Sequence, residues 1–573
     1  MSKQVPYRLY VSSSFLSLAV VGLGVRLAFL HLGSHEQTRA RFDRSRSYER
    51  KILAGRGAIH DCHGDGNVLA MNLGVKNICI DPATTSKGEG VIKTACELAE
   101  LLNVPADEVA VRMKQPNRRF AYVKRFVPTD VADEVDALDI KGVFFEDATI
   151  RHYPQKAFLC HVLGFVNHMG TGSAGVEQQL DRYLRGSPGI MEGCVNAKRQ
   201  ELYIRRGRNV PALEGANVTL TIDQNIQYMV EKALDEVMEE HRAEGAWAVV
   251  QRVSTGEILA LASRPGFDLN EFRHAPDFAK LNRALGFVYE PGSTMKPAVF
   301  AAALEEKTVT PDTMFNCENG AWLYKRRILR DYHPYSRLSV ADGLKKSSNI
   351  LTAKVALTLG DEGLDRYLRA FGFGKKLGID LPGEENGILH PVKRWSGISS
   401  TRIAIGQGVA VTALQMLGAM CAIANDGFLM KPYIVREVRS GTGEVMHRSE
   451  PEVVSRPISV KTAQTMRHLL GRVTESDGTG RRAQVPGYTV AGKTGTAQKP
   501  VAGGYSNSEH MASFVGFLPV KHPEIGVIVV VDNPQPIHTG GRVAAPAFRK
   551  IAGPAIRYLN VPGTESMLAR RSF

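Results

Sequence analysis

The stretch Glu290-Pro291-Gly292-Ser293-Thr294-Met295-Lys296, followed by the apolar run Ala298-Val299-Phe300-Ala301-Ala302-Ala303-Leu304, decides how this chain is read. Pro291-Gly292 marks a turn. The apolar run predicts a helix that begins at or near Ser293, with Pro297 inside its tolerant first turn. Positions i and i+3 share a helical face, which brings the Lys296 amine toward the Ser293 hydroxyl. A neutral serine is a poor nucleophile and needs a base. Lysine serves as one only when burial or neighbouring cations displace its own proton. The helix N-terminus also favours negative charge developing on the serine oxygen. Taken alone, S-x-x-K reads more readily as a capping serine beside a solvated lysine.

Two further short motifs follow in order. Ser347-Ser348-Asn349 opens the helical run Ile350-Leu351-Thr352-Ala353-Lys354-Val355-Ala356, where an ordinary N-cap is the plain alternative. Lys493-Thr494-Gly495-Thr496 ends Tyr488-Thr489-Val490-Ala491-Gly492, which reads as a strand. Gly492 and Gly495 there admit a close backbone, as a substrate strand would be. Its plain alternative is a glycine-containing edge strand with an exposed lysine. Each motif is weak alone; three in order, each in a fitting setting, are a strong signal.

The set S-x-x-K, S-x-N and K-T-G resembles that of class A β-lactamases and penicillin-binding proteins. The resemblance continues through Leu220-Thr221-Ile222-Asp223, Gly406-Gln407-Gly408, Ala424-Asn425-Asp426-Gly427 and Ser513-Phe514-Val515-Gly516-Phe517. Upstream, Arg56-Gly57-Ala58-Ile59-His60-Asp61, Arg151-His152-Tyr153-Pro154 and Gly175-Val176-Glu177 resemble the amino-terminal module of class B penicillin-binding proteins. Cys62 departs from the pattern, since relatives usually carry a basic residue there. Within class B the intact Ser347-Ser348-Asn349 is most like the division (septal) peptidoglycan D,D-transpeptidases.

The resemblance implies a fold and a site. The fold expected is α+β, with an antiparallel sheet flanked by helices, as in serine β-lactamases. Ser293 is the expected nucleophile and Lys296 its base. Ser347 would shuttle a proton to the leaving amine, and Asn349 would hold Lys296 and the substrate amide. Lys493, with Thr494, Gly495 and Thr496, would receive a terminal carboxylate. Backbone N–H groups of Ser293 and Thr496 would form the oxyanion hole, where losing one donor costs roughly 10²–10³ in rate. The reaction expected is cross-linking of stem peptides through an acyl-enzyme formed at D-Ala-D-Ala, with β-lactams as inhibitors and no metal or organic cofactor. Rival readings keep the serine but pass the acyl group to water, as in a carboxypeptidase or β-lactamase, or make the chain a non-enzymatic septal scaffold or penicillin sensor.

The 573 residues allow two or three domains, and the net charge is +14. No zinc-finger, RNA-recognition or aromatic-interleaved basic motif accompanies that charge, which argues against nucleic acid. Anionic lipid or wall polymer suits it better. The 17 uncharged positions from Leu9 to Val25 cover roughly 25 Å, and Leu27 to Leu32 extend them to the ~30 Å of a bilayer core. Arg26 and the bulky residues after it leave no clean cleavage site, so an uncleaved single-pass anchor is expected. Basic residues are denser after the span (Arg39, Arg41, Arg44, Arg46, Arg50, Lys51, Arg56) than before it (Lys3, Arg8). A literal positive-inside count opposes a catalytic domain outside the cytoplasm, but the resemblance implies that side of the inner membrane. The seven cysteines are scattered without disulfide or metal spacing,.

The organisation expected is a cytoplasmic tail (1–8), an anchor (9–32), a juxtamembrane segment (33–54), a pedestal (55–213), a transpeptidase domain (216–560) and a disordered tail (561–573). The charged stretch Glu36 to Lys51 is expected to continue as a helix. Partners implied are lipid-linked nascent glycan strands, a polytopic membrane glycosyltransferase and other division proteins.

Overall fold

The run Val527-Ile528-Val529-Val530-Val531 has no polar position, and the strand that contains it, Ile525–Asp532, is buried throughout. A strand covered on both faces needs no alternation. The computed structural model describes residues 7–33, 36, 40, 47–64, 66–85, 90–115, 117–194 and 209–563. Within it the sheet strands are Gly245–Arg252 (β1), Ile258–Arg264 (β2), Ala491–Val501 (β3), Gly504–Leu518 (β4) and Ile525–Asp532 (β5). They form an antiparallel sheet in the order β2-β1-β5-β4-β3, which leaves β3 on an edge.

Five helices frame this sheet and its site: Gln224–His241 (α1), Lys296–Glu305 (α2), Asn349–Ala370 (α3), Ala413–Ala424 (α4) and Ala544–Tyr558 (α5). On one face, Ile226, Val230 and Leu234 of α1 and Phe548 and Ile551 of α5 join Val250, Phe514, Val527 and Val529 in one core. On the other, Val299 of α2 and Leu417 of α4 belong with Trp247, Val249, Val515 and Ile528. Odd and even positions of β5 thus feed separate cores, as a period of two requires. The architecture is α+β, as expected.

A second sheet connects the upstream module to this domain. Its strand order is Val445–Arg448, Val435–Arg439, Asn217–Leu220, Ile59–His60, Val68–Ile80 and Ala121–Pro128, with Val143–His152 also paired to Val68–Ile80. Ile59 pairs in parallel with Val218, so one ladder crosses from residues near 60 to residues near 220. The upstream motifs converge on one fully buried carboxylate. Glu177 receives Nε of Arg56 and Nε of Arg151, each at 2.6 Å. Nη1 of Arg56 also meets Asp181 at 2.7 Å, and Nη1 of Arg151 donates to the Gly57 carbonyl at 2.8 Å. Buried charges persist only when paired and hydrogen-bonded in this way.

The chain divides into two compact units, residues 1–55 with 186–214 and residues 56–185 with 215–573. The first contains the helix Tyr7–Ala28, a π-helical turn Phe29–Gly33, and the strand Ser47–Ile52 paired antiparallel with Gly189–Cys194. Ser47 to Lys51 is therefore strand and not the expected juxtamembrane helix. Ladder hydrogen bonds to a segment some 140 residues away override the local propensity. Of the disordered tail expected from 561 onward, residues 564–573 lie outside the described residues, as do 1–6.

Candidate active site

Ser293 sits on a 3₁₀ turn, Gly292–Met295, that leads directly into α2. The helix starts at Lys296, one turn later than expected, and Pro297 falls in its first turn. The turn is clamped from two sides. Gly406, at φ +78°, faces Gly292 so closely that a Cβ there would lie 2.1 Å from the Gly292 carbonyl oxygen. Glu290, which precedes the turn, accepts from the Gly408 N–H at 2.8 Å. The spacing Gly406-Gln407-Gly408 is a consequence of that approach.

Lys296 is fully buried. Its Nζ donates to the Ser347 carbonyl at 2.7 Å, to Oδ1 of Asn349 at 2.7 Å and to Oγ of Ser347 at 3.2 Å. Burial pushes its pKa down to about 7, against a smaller upward pull from Asp331. The two short contacts go to oxygens that only accept; the longer one goes to a hydroxyl, which donates to the nitrogen when the amine is neutral and accepts from it when it is charged.

The second motif divides its labour between its members. Ser347 closes the helix Val340–Lys346 in the left-handed region at φ +62°, which aims its carbonyl at Lys296. Ser348 is the N-cap of α3 and accepts from Leu351 N–H at 3.0 Å. Capping therefore falls to the middle serine, and the side chains of Ser347 and Asn349 remain for Lys296. Nδ2 of Asn349 donates to the Arg330 carbonyl at 2.9 Å, which fixes which end of the amide faces the lysine.

Asp331 was not singled out by sequence reasoning. Its Oδ2 accepts from Ser348 Oγ at 2.6 Å, and its Oδ1 accepts from the backbone N–H groups of Asn349 and Ile350. It is delivered by the hairpin of Ala321–Tyr324 and Arg327–Arg330, and its spacing to the second motif carries no signature. His333, two residues on, is exposed among Tyr332 and Tyr335.

The third motif lies near the start of β3, which begins at Ala491; Tyr488 to Val490 stand before the strand. Lys493 is fully buried and donates to the Thr494 carbonyl at 3.0 Å. Burial holds its pKa well below the usual lysine value, and the Lys296 charge adds to that depression. Thr494 is nearly buried, while Thr496 is exposed and its Oγ1 accepts from Gly540 N–H at 3.0 Å. A Cβ on Gly495 would lie 2.3 Å from Ser513 Oγ and 2.9 Å from the Pro291 carbonyl oxygen. The space that Gly495 leaves is thus taken by the chain itself. Its absent side chain lets the Ser293 turn seat against β3, which brings the first and third motifs together.

The fold brings the first and third motifs together at the edge of an antiparallel sheet, with the second motif's Ser347 and Asn349 on Lys296, and comparison with known proteins makes the family plain. Residues 246–553 match the penicillin binding protein transpeptidase domain, and residues 51–220 match the penicillin-binding protein dimerisation domain. The chain belongs to the penicillin-binding protein transpeptidase family, of the class B type. It is 34% identical over 523 residues to stage V sporulation protein D of Bacillus subtilis, covering 90% of this chain and 80% of that one. It is 31% identical over 562 residues to the peptidoglycan D,D-transpeptidase FtsI of Escherichia coli, covering 97% and 92%. Among solved structures, penicillin binding protein 3 of Mycobacterium tuberculosis complexed with aztreonam superposes with a TM-score of 0.70 at 28% identity, covering 90% of this chain and 98% of that one.

Proposed function

We propose that the chain is a membrane-anchored peptidoglycan D,D-transpeptidase of septal wall synthesis. Ser293 Oγ attacks the carbonyl of the D-Ala-D-Ala peptide bond while Lys296 takes its proton. D-Alanine leaves with a proton delivered through Ser347, and an acyl-enzyme remains. An amine from a neighbouring stem then takes the acyl group and frees the serine. Asn349 orients Lys296. Lys493, Thr494, Gly495 and Thr496 form the wall that receives the carboxylate end of the donor, and Thr496 N–H with Ser293 N–H receives the carbonyl oxygen.

The observation that carries this reading is the burial of Lys296 between Ser347 and Asn349, which supports a neutral amine one helical turn from Ser293. Tyr7–Leu32, with a mean hydropathy of 2.0, is long and apolar enough to cross a membrane. It anchors residues 55–213, the pedestal, and 216–560, the transpeptidase domain, on the outer side of the inner membrane at the division site. Lipid-linked glycan strands and a polytopic membrane glycosyltransferase supply the substrate there.

A fluorescent penicillin tests the nucleophile. Ser293→Ala abolishes covalent labelling while the far-ultraviolet circular dichroism stays that of the wild type; labelling that survives overturns the assignment. Release of D-alanine from a pentapeptide, with and without an acceptor amine, separates transfer from hydrolysis.

A further inference from the structure

One flank of the catalytic cleft carries cations that no acid of the fold neutralises. The hairpin that delivers Asp331 turns at Lys325-Arg326 and returns through Arg327, and all three residues are exposed. Its base meets the site, where Asn349 Nδ2 donates to the Arg330 carbonyl at 2.9 Å. Its tip meets the segment that leads into Gly406-Gln407-Gly408: a Cβ on Gly397 would lie 2.6 Å from Lys325 Nζ. Arg402, on that segment, is half-buried. Burial lowers its pKa, Tyr505 opposes the shift and the Arg327 charge adds to it, so Tyr505 and Arg327 are its electrostatic neighbours.

Among the described residues no carboxylate pairs with Lys325, Arg326, Arg327 or Arg402. The acids of adjoining segments are engaged elsewhere. Lys354 holds Glu318 at 2.7 Å, Ser348 and two backbone N–H groups hold Asp331, and the Ser400 hydroxyl donates to Asp361. A guanidinium keeps its charge and its planar fork of donors, the geometry that a carboxylate matches. Arg402 is thus preorganised for a carboxylate that arrives with a ligand.

The course of the donor peptide brings one there. In the proposed reaction, on which this inference rests, the terminal carboxylate lies at Lys493 and the scissile carbonyl at Thr496 N–H. A donor strand on the edge of β3 then continues toward Pro500, four residues on and roughly 13 Å away at about 3.3 Å per residue. Pro500 pairs with Tyr505, whose OH donates to Glu290 Oε1 at 3.3 Å. We propose that Arg402, with Arg327 as its charged neighbour, receives a carboxylate of the donor stem upstream of D-Ala-D-Ala, so that the enzyme selects stems whose carboxylates are free over stems in which they are amidated. Lys325 and Arg326 extend the positive field that draws an acidic peptide in. A penicillin lacks those upstream residues and bypasses the contact.

Two pentapeptides ending in D-Ala-D-Ala test this, one with its upstream carboxylates free and one with them amidated. Each competes with a fluorescent penicillin for the full-length protein in detergent, scored against that protein's own uninhibited labelling rate. On the wild type the free-carboxylate peptide is expected to compete at least about tenfold more tightly. Arg402→Gln erases that preference, and Arg327→Gln, a change on the exposed hairpin, narrows it. Rising salt shrinks it as well. Equal competition by the two peptides on the wild type, or a preference that both variants retain in full, overturns the inference. Release of D-alanine from the same peptides reports on the proposed reaction separately. A protein that prefers the free carboxylates yet releases no D-alanine sinks that reaction and leaves the Arg402 contact standing.

Discussion

Nζ of Lys296 lies 2.7 Å from Oδ1 of Asn349, and the amide that carries that oxygen is itself oriented by the Arg330 carbonyl. The amine proposed as the base is thus held by an acceptor that cannot give it a proton. Its pKa of about 7 places the neutral form above neutrality and the ammonium below it. In the proposed mechanism acylation needs the neutral form. The rate of penicillin labelling is expected to rise about tenfold per pH unit below pH 7 and to level off above it. Stopped-flow labelling from pH 5 to 9 checks this, and a flat profile would exclude Lys296 as the base.

Asp331 acts on the same amine from a distance and on α3 directly. Its carboxylate raises the Lys296 pKa against burial. Asp331→Asn keeps an oxygen for the Asn349 and Ile350 N–H groups but removes the charge. The midpoint of the labelling profile is expected to move to lower pH, with a stability loss of about 1–3 kcal/mol. A purely structural role would lower stability and leave the midpoint where it was.

The two serines of the second motif separate cleanly. Ser348→Ala removes the cap of α3 and the donor to Asp331, and is expected to cost about 1–2 kcal/mol while labelling continues. Ser347→Ala removes only the hydroxyl near Lys296, so stability changes by less than about 1 kcal/mol and labelling slows. Denaturant unfolding and labelling rates on both variants check the pair. Equal slowing in both would refute the division of labour.

How much of this was legible follows from how each feature is encoded. The serine–lysine turn is a local pattern, and the structure has the turn at Ser293, with the helix itself starting at Lys296. Asp331 was missed because a hairpin, not a spacing, delivers it. Gly495 was read for a substrate, yet its close neighbours are Ser513 and Pro291, which only the packed chain reveals. The strand of the third motif starts at Ala491 because its partner, β4, pairs from there: Ala491 faces Phe517. The same holds for Ser47–Ile52, whose charges read as helix until Gly189–Cys194 gives them a ladder.

Arg56, Arg151 and Glu177 offer the strongest stability test, because three short motifs spread over about 120 residues meet in one buried ion cluster. Glu177 is fully buried, and the side chains of Arg56 and Arg151 are 8% and 5% exposed. Glu177→Ala leaves two guanidinium groups desolvated without their shared carboxylate, and removing one partner of such a pair costs about 3–5 kcal/mol. The pair Lys76 and Asp133, at 3.2 Å but 30% and 63% exposed, supplies the control. Water screens it, so Asp133→Ala is expected to cost no more than about 1 kcal/mol. Thermal unfolding of the two variants in parallel decides the matter. Losses of similar size would mean that burial does not set the strength of the Glu177 cluster, and that the three upstream motifs serve some end other than holding this module together.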